Sequence, residues 1–286
     1  NWNTKQYSKF LKNLKKKYIY SNVIVCRDHC GPGFNGIHSL KDVYKTISSD
    51  IENNFDLIHI DFSKYKNDYN SILKESKKAI LYAQSLKKDI KIEVGTDENS
   101  GSLLSPFFIK DILNEINFFL EFIKPAFYVL QTGSLVLENY QVGKFNLGML
   151  SLLSKKIKKL AIKIKEHNAD YLNSQMISMR KNIVNAMNIA PQFGVSQTMI
   201  VLSESVKYGI NTNNFLNHSY ESKKWKKWLL NSDKNDKYKC ALLAGHYNFS
   251  SVEYKKIEEE LNKYINIKEL LINSHYSIIE LYENSF

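Results

Sequence analysis

Acids and imidazoles recur at one kind of place in this chain: the end of a short apolar run, just before a turn. Val23-Ile24-Val25 leads into Cys26-Arg27-Asp28-His29-Cys30 and breaks on Gly31-Pro32-Gly33, a signal that neither continues a strand nor sits inside a helix. The run Leu57-Ile58-His59-Ile60 ends on Asp61 and Ser63, and Ile90-Lys91-Ile92-Glu93-Val94-Gly95 ends on Thr96-Asp97-Glu98. Residues 127–130 end on Gln131 and Ser134, residues 160–164 on His167 and Asp170, and residues 186–189 on Asn188 and Gln192. Burying Asp, His and Arg together is costly unless they pair or bind something. Taken alone, the first stretch reads equally well as a salt-bridged strand end without chemistry. Recurrence of the same layout favours a shared ligand site.

The intervening segments are what would position these groups. Residues 5–17 carry Tyr7, Phe10, Leu11 and Leu14 at helical spacing, and a lysine run closes the last turn, where cations suit the helix dipole. Ser39 precedes a stripe of Leu40, Val43, Ile47 and Ile51, as an N-cap should. Further helices are expected over 72–83, from Ser105-Pro106, over 147–157, over 173–182 and after Gly194. Six strands, each followed by a helix, argue for parallel βαβ units. The expected fold is α/β, a (β/α)₈ TIM barrel, whose site lies at the C-terminal ends of its strands. Six strands are two short of eight, and the chain starts on Asn1, so the missing βα steps are expected before it. A doubly wound open sheet is the runner-up, weakened by the lack of a GxGxxG turn. Residues 1–210 are expected to form the barrel domain. From about 211 the pattern changes to helix with Trp225 and Trp228, and 211–286 are read as a helical appendage packed on the barrel or on a partner subunit.

Composition narrows the classes. The 286 residues are 43% hydrophobic and 24% charged, ordinary globular material. No run approaches the ~18 apolar residues of a membrane helix, and no secretory leader is visible. Cys26, Cys30 and Cys240 form no CxxC pair, which fits a reducing, cytoplasmic location. The formal charge of +11 suits anionic ligands, but the lysines are scattered over polar helix faces, so neither nucleic acid nor membrane is expected as a partner.

Asp28-His29-Cys30-Gly31-Pro32, His59-Ile60-Asp61 with Ser63, Gly95-Thr96 and His167-Asn168-Ala169-Asp170-Tyr171 stand in the order of motifs in the tagatose-bisphosphate aldolase family. The chain resembles the larger subunit of these class II aldolases, often called non-catalytic, from the first helix to Gly194 and more faintly beyond. The resemblance implies a TIM barrel and a lyase that cleaves a phosphorylated ketose, such as tagatose 1,6-bisphosphate, to dihydroxyacetone phosphate and an aldehyde. It also implies zinc, which neutral imidazoles and a carboxylate suit when one position stays open. His29 and His167, with Glu93 as a third, are the expected metal ligands. Asp28 is expected to move a proton to or from the substrate hydroxyl. Asp61, Ser63, Gln131, Ser134, Asp170, Asn188 and Gln192 are expected to contact substrate. Its phosphate would meet amides near Ser134 or at the helix start after Gly194.

Catalytic class II aldolases use three histidine ligands, and the Gln131-Thr132-Gly133 tip offers none. The alternative is a subunit that stabilises a catalytic partner; the expected protein partner is a second copy or a second aldolase subunit. Other residues read more simply. His59 alternates with Ile58 and Ile60 as a hydrogen-bonded core histidine would. His38, His218 and His275 lie among polar residues, and His246 sits in a small apolar segment.

Overall fold

The computed structural model describes residues 3–18, 23–96, 106–230 and 234–286. The expected Ser105 cap and the Asp97-Glu98 strand tip lie outside them. In chain order the elements are α1 (Thr4–Tyr18), β1 (Cys26–Cys30), α2 (Leu40–Glu52), β2 (Leu57–Ile60), α3 (Tyr69–Leu86), β3 (Lys91–Gly95), α4 (Pro106–Leu120) and β4 (Phe127–Leu130). A short hairpin, β5 (Val136–Leu137) and β6 (Tyr140–Gln141), precedes α5 (Leu147–Lys159), β7 (Lys163–Glu166), α6 (Ser174–Ser178), β8 (Ala186–Met187) and α7 (Pro191–Lys207). Helices α8 (Asn213–Glu221), α9 (Lys237–Ala244), α10 (Val252–Leu261) and α11 (Ile267–Ser285) follow. No helix of the described residues is long and apolar enough to cross a membrane.

Two compact units divide this chain. The described residues within Asn1–Glu98, Ser105–Gln131 and Leu152–Lys165 form the first, and those within Thr132–Ser151 and Glu166–Phe286 form the second. In the first unit β1, β2, β3 and β4 pair in parallel in that order, and β7 lies next to β4. All six expected strands are present. The protein is an α/β protein whose parallel sheet is compatible with a TIM-barrel-like fold.

Sequence and local structure agree at several caps. Ser39 accepts a hydrogen bond from the Asp42 amide at the start of α2, and Val43 and Ile47 turn inward below it. Asp50, on the same face, is buried because Arg27 grips it with two nitrogens at 2.5 and 2.6 Å. Strand alternation therefore takes Arg27 to the helix side of β1, away from Asp28. The inward face of α1 departs from expectation. Tyr7 and Phe10 are 43% and 41% exposed, while Ser8 is buried. The Ser8 hydroxyl donates to the Asn53 carbonyl at 2.7 Å, so a polar residue satisfies itself on the packed side.

In the second unit α7, α8, α10 and α11 share a core of Val201, Leu202, Phe215, Tyr254, Ile257, Leu261, Ile267 and Leu271. Each such side chain stabilises by roughly 1.5–3 kcal/mol on burial. Helix α7 starts at Pro191, earlier than expected, and Gly194 lies in its first turn against His246, where a Cβ would collide. Helix α6 is shorter than expected, because the Arg180 guanidinium turns back to donate to the Met176 carbonyl.

Gly31 explains why β1 ends where it does: a Cβ there would run into the backbone carbonyl of Asp61 on the adjacent strand end. Gly36, in the same turn, has φ +83 and open space around it. Gly31→Ala should lower the unfolding free energy by about 2 kcal/mol or more. Gly36→Ala should cost only the left-handed backbone, about 1 kcal/mol. Urea unfolding of both variants checks this, and equal or reversed losses would contradict the close approach.

Candidate metal centre

The site of the first unit is assembled by register and by one irregularity. His59 of β2 stands directly beside Glu93 of β3, so both side chains leave the same face of the sheet. On β1, Arg27 pairs with Ile58 and Cys30 with Ile60, three residues against two. The extra residue is a bulge, and His29 absorbs it with φ +49. A bulge re-aims side chains, and here the consecutive Asp28 and His29 both reach His59. Asp28 Oδ1 lies 3.4 Å from His59 Nδ1, and Glu93 Oε1 lies 3.8 Å from the same atom.

Hydrogen bonding anchors this histidine at both ring nitrogens. Its Nε2 is 3.0 Å from the Gly95 carbonyl, which can only accept, so Nε2 carries the proton. Nδ1 meets the His29 amide at 3.4 Å and Asp28 Oδ1 at 3.4 Å: with its lone pair it accepts from the amide, and with a proton it donates to the carboxylate. A backbone-anchored imidazole whose second nitrogen faces two carboxylate oxygens is an arrangement that can hold a metal when that nitrogen is unprotonated. Tetrahedral bonds of about 2.1 Å separate ligand atoms by about 3.4 Å, close to the spacings observed. Glu93 is fully buried, and Lys165 donates to its Oε1 at 2.8 Å.

A second set overlaps the first: His29, His59 and Asp61 also bring potential ligand atoms within 4.8 Å of one another. In this set His29 Nδ1 and Asp61 Oδ2 already hydrogen-bond at 2.8 Å. Asp61 is itself held by the Ser63 amide, which donates to its other oxygen. Phe34 stacks on the His29 ring, with centroids 4.6 Å apart. His29 is thus clamped on one edge and one face, with Nε2 left 3.8 Å from Asp28 Oδ2.

Of the expected site residues, Asp28, His29, Asp61, Ser63 and Glu93 come together here. Gln131, also in the first unit, is half-buried just after β4. His59 and Lys165 were read otherwise or passed over. Their signals were the His59-x-Asp61 spacing, which shares a strand face, and the position of Lys165 near the end of β7.

The second unit holds the other expected residues, Ser134, His167, Asp170, Asn188 and Gln192. His167 is buried directly after β7. The Thr132 and Ser134 hydroxyls donate to Glu166 Oε1, and Arg180 holds Glu166 Oε2 at 2.7 Å. The Asn188 amide donates to the Glu166 carbonyl. Asp170 Oδ1 accepts the amides of Ala190 and Gln192, and Gln192 Oε1 accepts the Tyr171 amide. The first amides of α7 are therefore occupied by a carboxylate of the chain itself. The Tyr282 hydroxyl of α11 donates to the Ala169 carbonyl and accepts from the Leu172 amide.

Comparisons with known proteins bear on the fold. A probable tagatose 6 phosphate kinase from Sinorhizobium meliloti 1021 superposes with a TM-score of 0.74 at 12% identity, covering 96% of this chain and 79% of that one. The fructuronate-tagaturonate epimerase UxaE from Cohnella laeviribosi gives 0.63 at 9% identity, over 95% of this chain and 70% of that one. A fructose-bisphosphate aldolase from Campylobacter jejuni gives 0.53 at 16% identity, over 94% and 74%. The fold is aldolase-like. No family model matches the chain, and no curated protein sequence matches it.

Charge at the site follows from burial. Desolvation pushes the Cys26 thiol up to about 12, helped by the Glu93 carboxylate and opposed by Lys165, so this cysteine is a thiol and no nucleophile. Burial acts to lower the Lys165 ammonium, but Glu93 outweighs it and the group is held above its ordinary value.

In the second unit burial raises the Asp170 carboxyl from 3.8 to about 6, against the pull of the two amides. The folded chain then holds this proton more tightly than the unfolded one. Its stabilising contribution is complete below pH 3.8 and is lost as pH rises through about 6. Asp170→Asn keeps an acceptor for both amides and removes the titration. Its thermal stability should vary less than that of the wild type between those limits, by on the order of 2 kcal/mol. Superimposable pH profiles from calorimetry would contradict the assignment.

Proposed function

We propose that the protein is a metal-dependent lyase of the class II aldolase type, cleaving a phosphorylated ketose such as tagatose 1,6-bisphosphate to dihydroxyacetone phosphate and an aldehyde. The observation that carries this reading is His59 Nδ1 flanked by Asp28 and Glu93 at 3.4 and 3.8 Å. These three side chains would hold the ion. Zinc bound there would supply the positive charge that polarises a ketose carbonyl.

The chain's own groups supply the rest. His29, oriented by Asp61 and covered by Phe34, would take the proton from the hydroxyl at C4 through Nε2 as the C3–C4 bond breaks. Asp28 and His29 thereby exchange the roles that the sequence resemblance implies for them. Asp61, which holds His29 Nδ1, orients the ring for this role. Lys165 offsets the buried charge of Glu93.

A second reading is favoured by that same ion pair, since Lys165 neutralises Glu93 without any metal. In it the chain stabilises a catalytic aldolase subunit and cleaves nothing.

Metal analysis of the purified protein, paired with retro-aldol assays on a panel of ketose phosphates, separates the two. The lyase reading expects about one zinc per chain and turnover. His59→Ala and Glu93→Gln should each weaken zinc binding by more than about 100-fold. His167→Ala, in the same series, tests the ligand role that the resemblance implies for it. A chain that takes up no zinc and cleaves no ketose phosphate contradicts the lyase reading and favours the stabilising subunit.

A further inference from the structure

Two groups beside the site have chemistry that nothing in it uses. Ser63 and Lys64 follow β2 immediately. The Ser63 amide is fixed on Asp61, yet its hydroxyl is buried and has no hydrogen-bond partner. A buried hydroxyl left unsatisfied costs about 1–3 kcal/mol and asks for an acceptor. Next to it, the exposed Lys64 ammonium rests 4.4 Å above the Phe34 ring. Among the described residues no carboxylate pairs with it. The arrangement is a stack: ammonium over Phe34, Phe34 over His29.

We propose that Ser63 and Lys64 receive the phosphate monoester of the ligand. An exposed cation–π contact is worth about 0.5–1 kcal/mol. A charge-assisted hydrogen bond to an anion is worth about 1.5–3 kcal/mol. A phosphate therefore draws the ammonium off the ring at little cost, and the ring keeps it on the site's side until then. The adjacent hydroxyl donates to a second phosphate oxygen, which satisfies it.

This inference rests on the reading that the site takes a phosphorylated ligand, so its test uses binding as well as turnover. Inorganic phosphate and dihydroxyacetone phosphate are titrated calorimetrically into wild type, Lys64→Ala, Ser63→Ala and the neighbouring control Lys66→Ala. The expected result is at least tenfold weaker binding of both ligands by the Lys64 and Ser63 variants, with the control unchanged. Phe34→Leu should weaken binding less than Lys64→Ala. Unchanged affinity in Lys64→Ala, or no binding of either ligand by wild type, overturns the proposal. Lys64-dependent phosphate binding in a protein that takes up no zinc would overturn the lyase reading and leave this one standing. Zinc and turnover retained with affinity insensitive to Lys64 would do the reverse.

Discussion

A single inserted residue in β1 decides what the first unit can do. Without the bulge, Asp28 and His29 would point to opposite faces of the sheet, one toward His59 and the other toward α2. The bulge puts His29 into the left-handed region, a conformation costing on the order of 1 kcal/mol for a residue with a Cβ. What holds it there is the bond from Nδ1 to Asp61, the stack with Phe34 and the contact of its own amide with His59. The same contacts organise the site, so local strain and site geometry have a common origin.

Around that point the protein buries charge in pairs. Arg27 meets Asp50 on the helix side of β1, Lys165 meets Glu93 on the other face, and in the second unit Arg180 meets Glu166. Buried pairs add little net stability, but removing one partner typically costs 3–5 kcal/mol. Two of the three are complete within the chain and leave no room for chemistry. The Glu93 pair differs, because its carboxylate also lies within ligand distance of a histidine ring nitrogen. Whether Glu93 serves Lys165 alone or an ion as well is the point on which lyase and stabilising subunit part.

Much of the framework was legible in the sequence. All six strands stand where apolar runs ended on polar tips, because a buried parallel strand needs such a run and its tip must return to solvent. Glu93 and Asp61 were legible as buried acids for the same reason, whereas Asp28 stays exposed at the strand tip. His59 was not, since a histidine alternating with isoleucines looks alike whether the inward face is core or site. The bulge left no mark in the residues around it, and so the approach of both Asp28 and His29 to His59 could not be foreseen. Tyr7 and Phe10 misled because helical spacing says which residues share a face, not which face packs. Ser134, Asp170, Asn188 and Gln192 were read as polar strand-tip residues and stand there, each hydrogen-bonded within the second unit.

The central claim is that His59 presents an unprotonated Nδ1 to an ion shared with Asp28 and Glu93. Diffraction from zinc-soaked crystals at the zinc absorption edge tests it most directly. The account predicts an anomalous peak about 2.1 Å from His59 Nδ1, ligated by Asp28 and Glu93, with Nε2 still on the Gly95 carbonyl. No peak at His59, or a peak bound through Nε2 with the Gly95 bond broken, would contradict it.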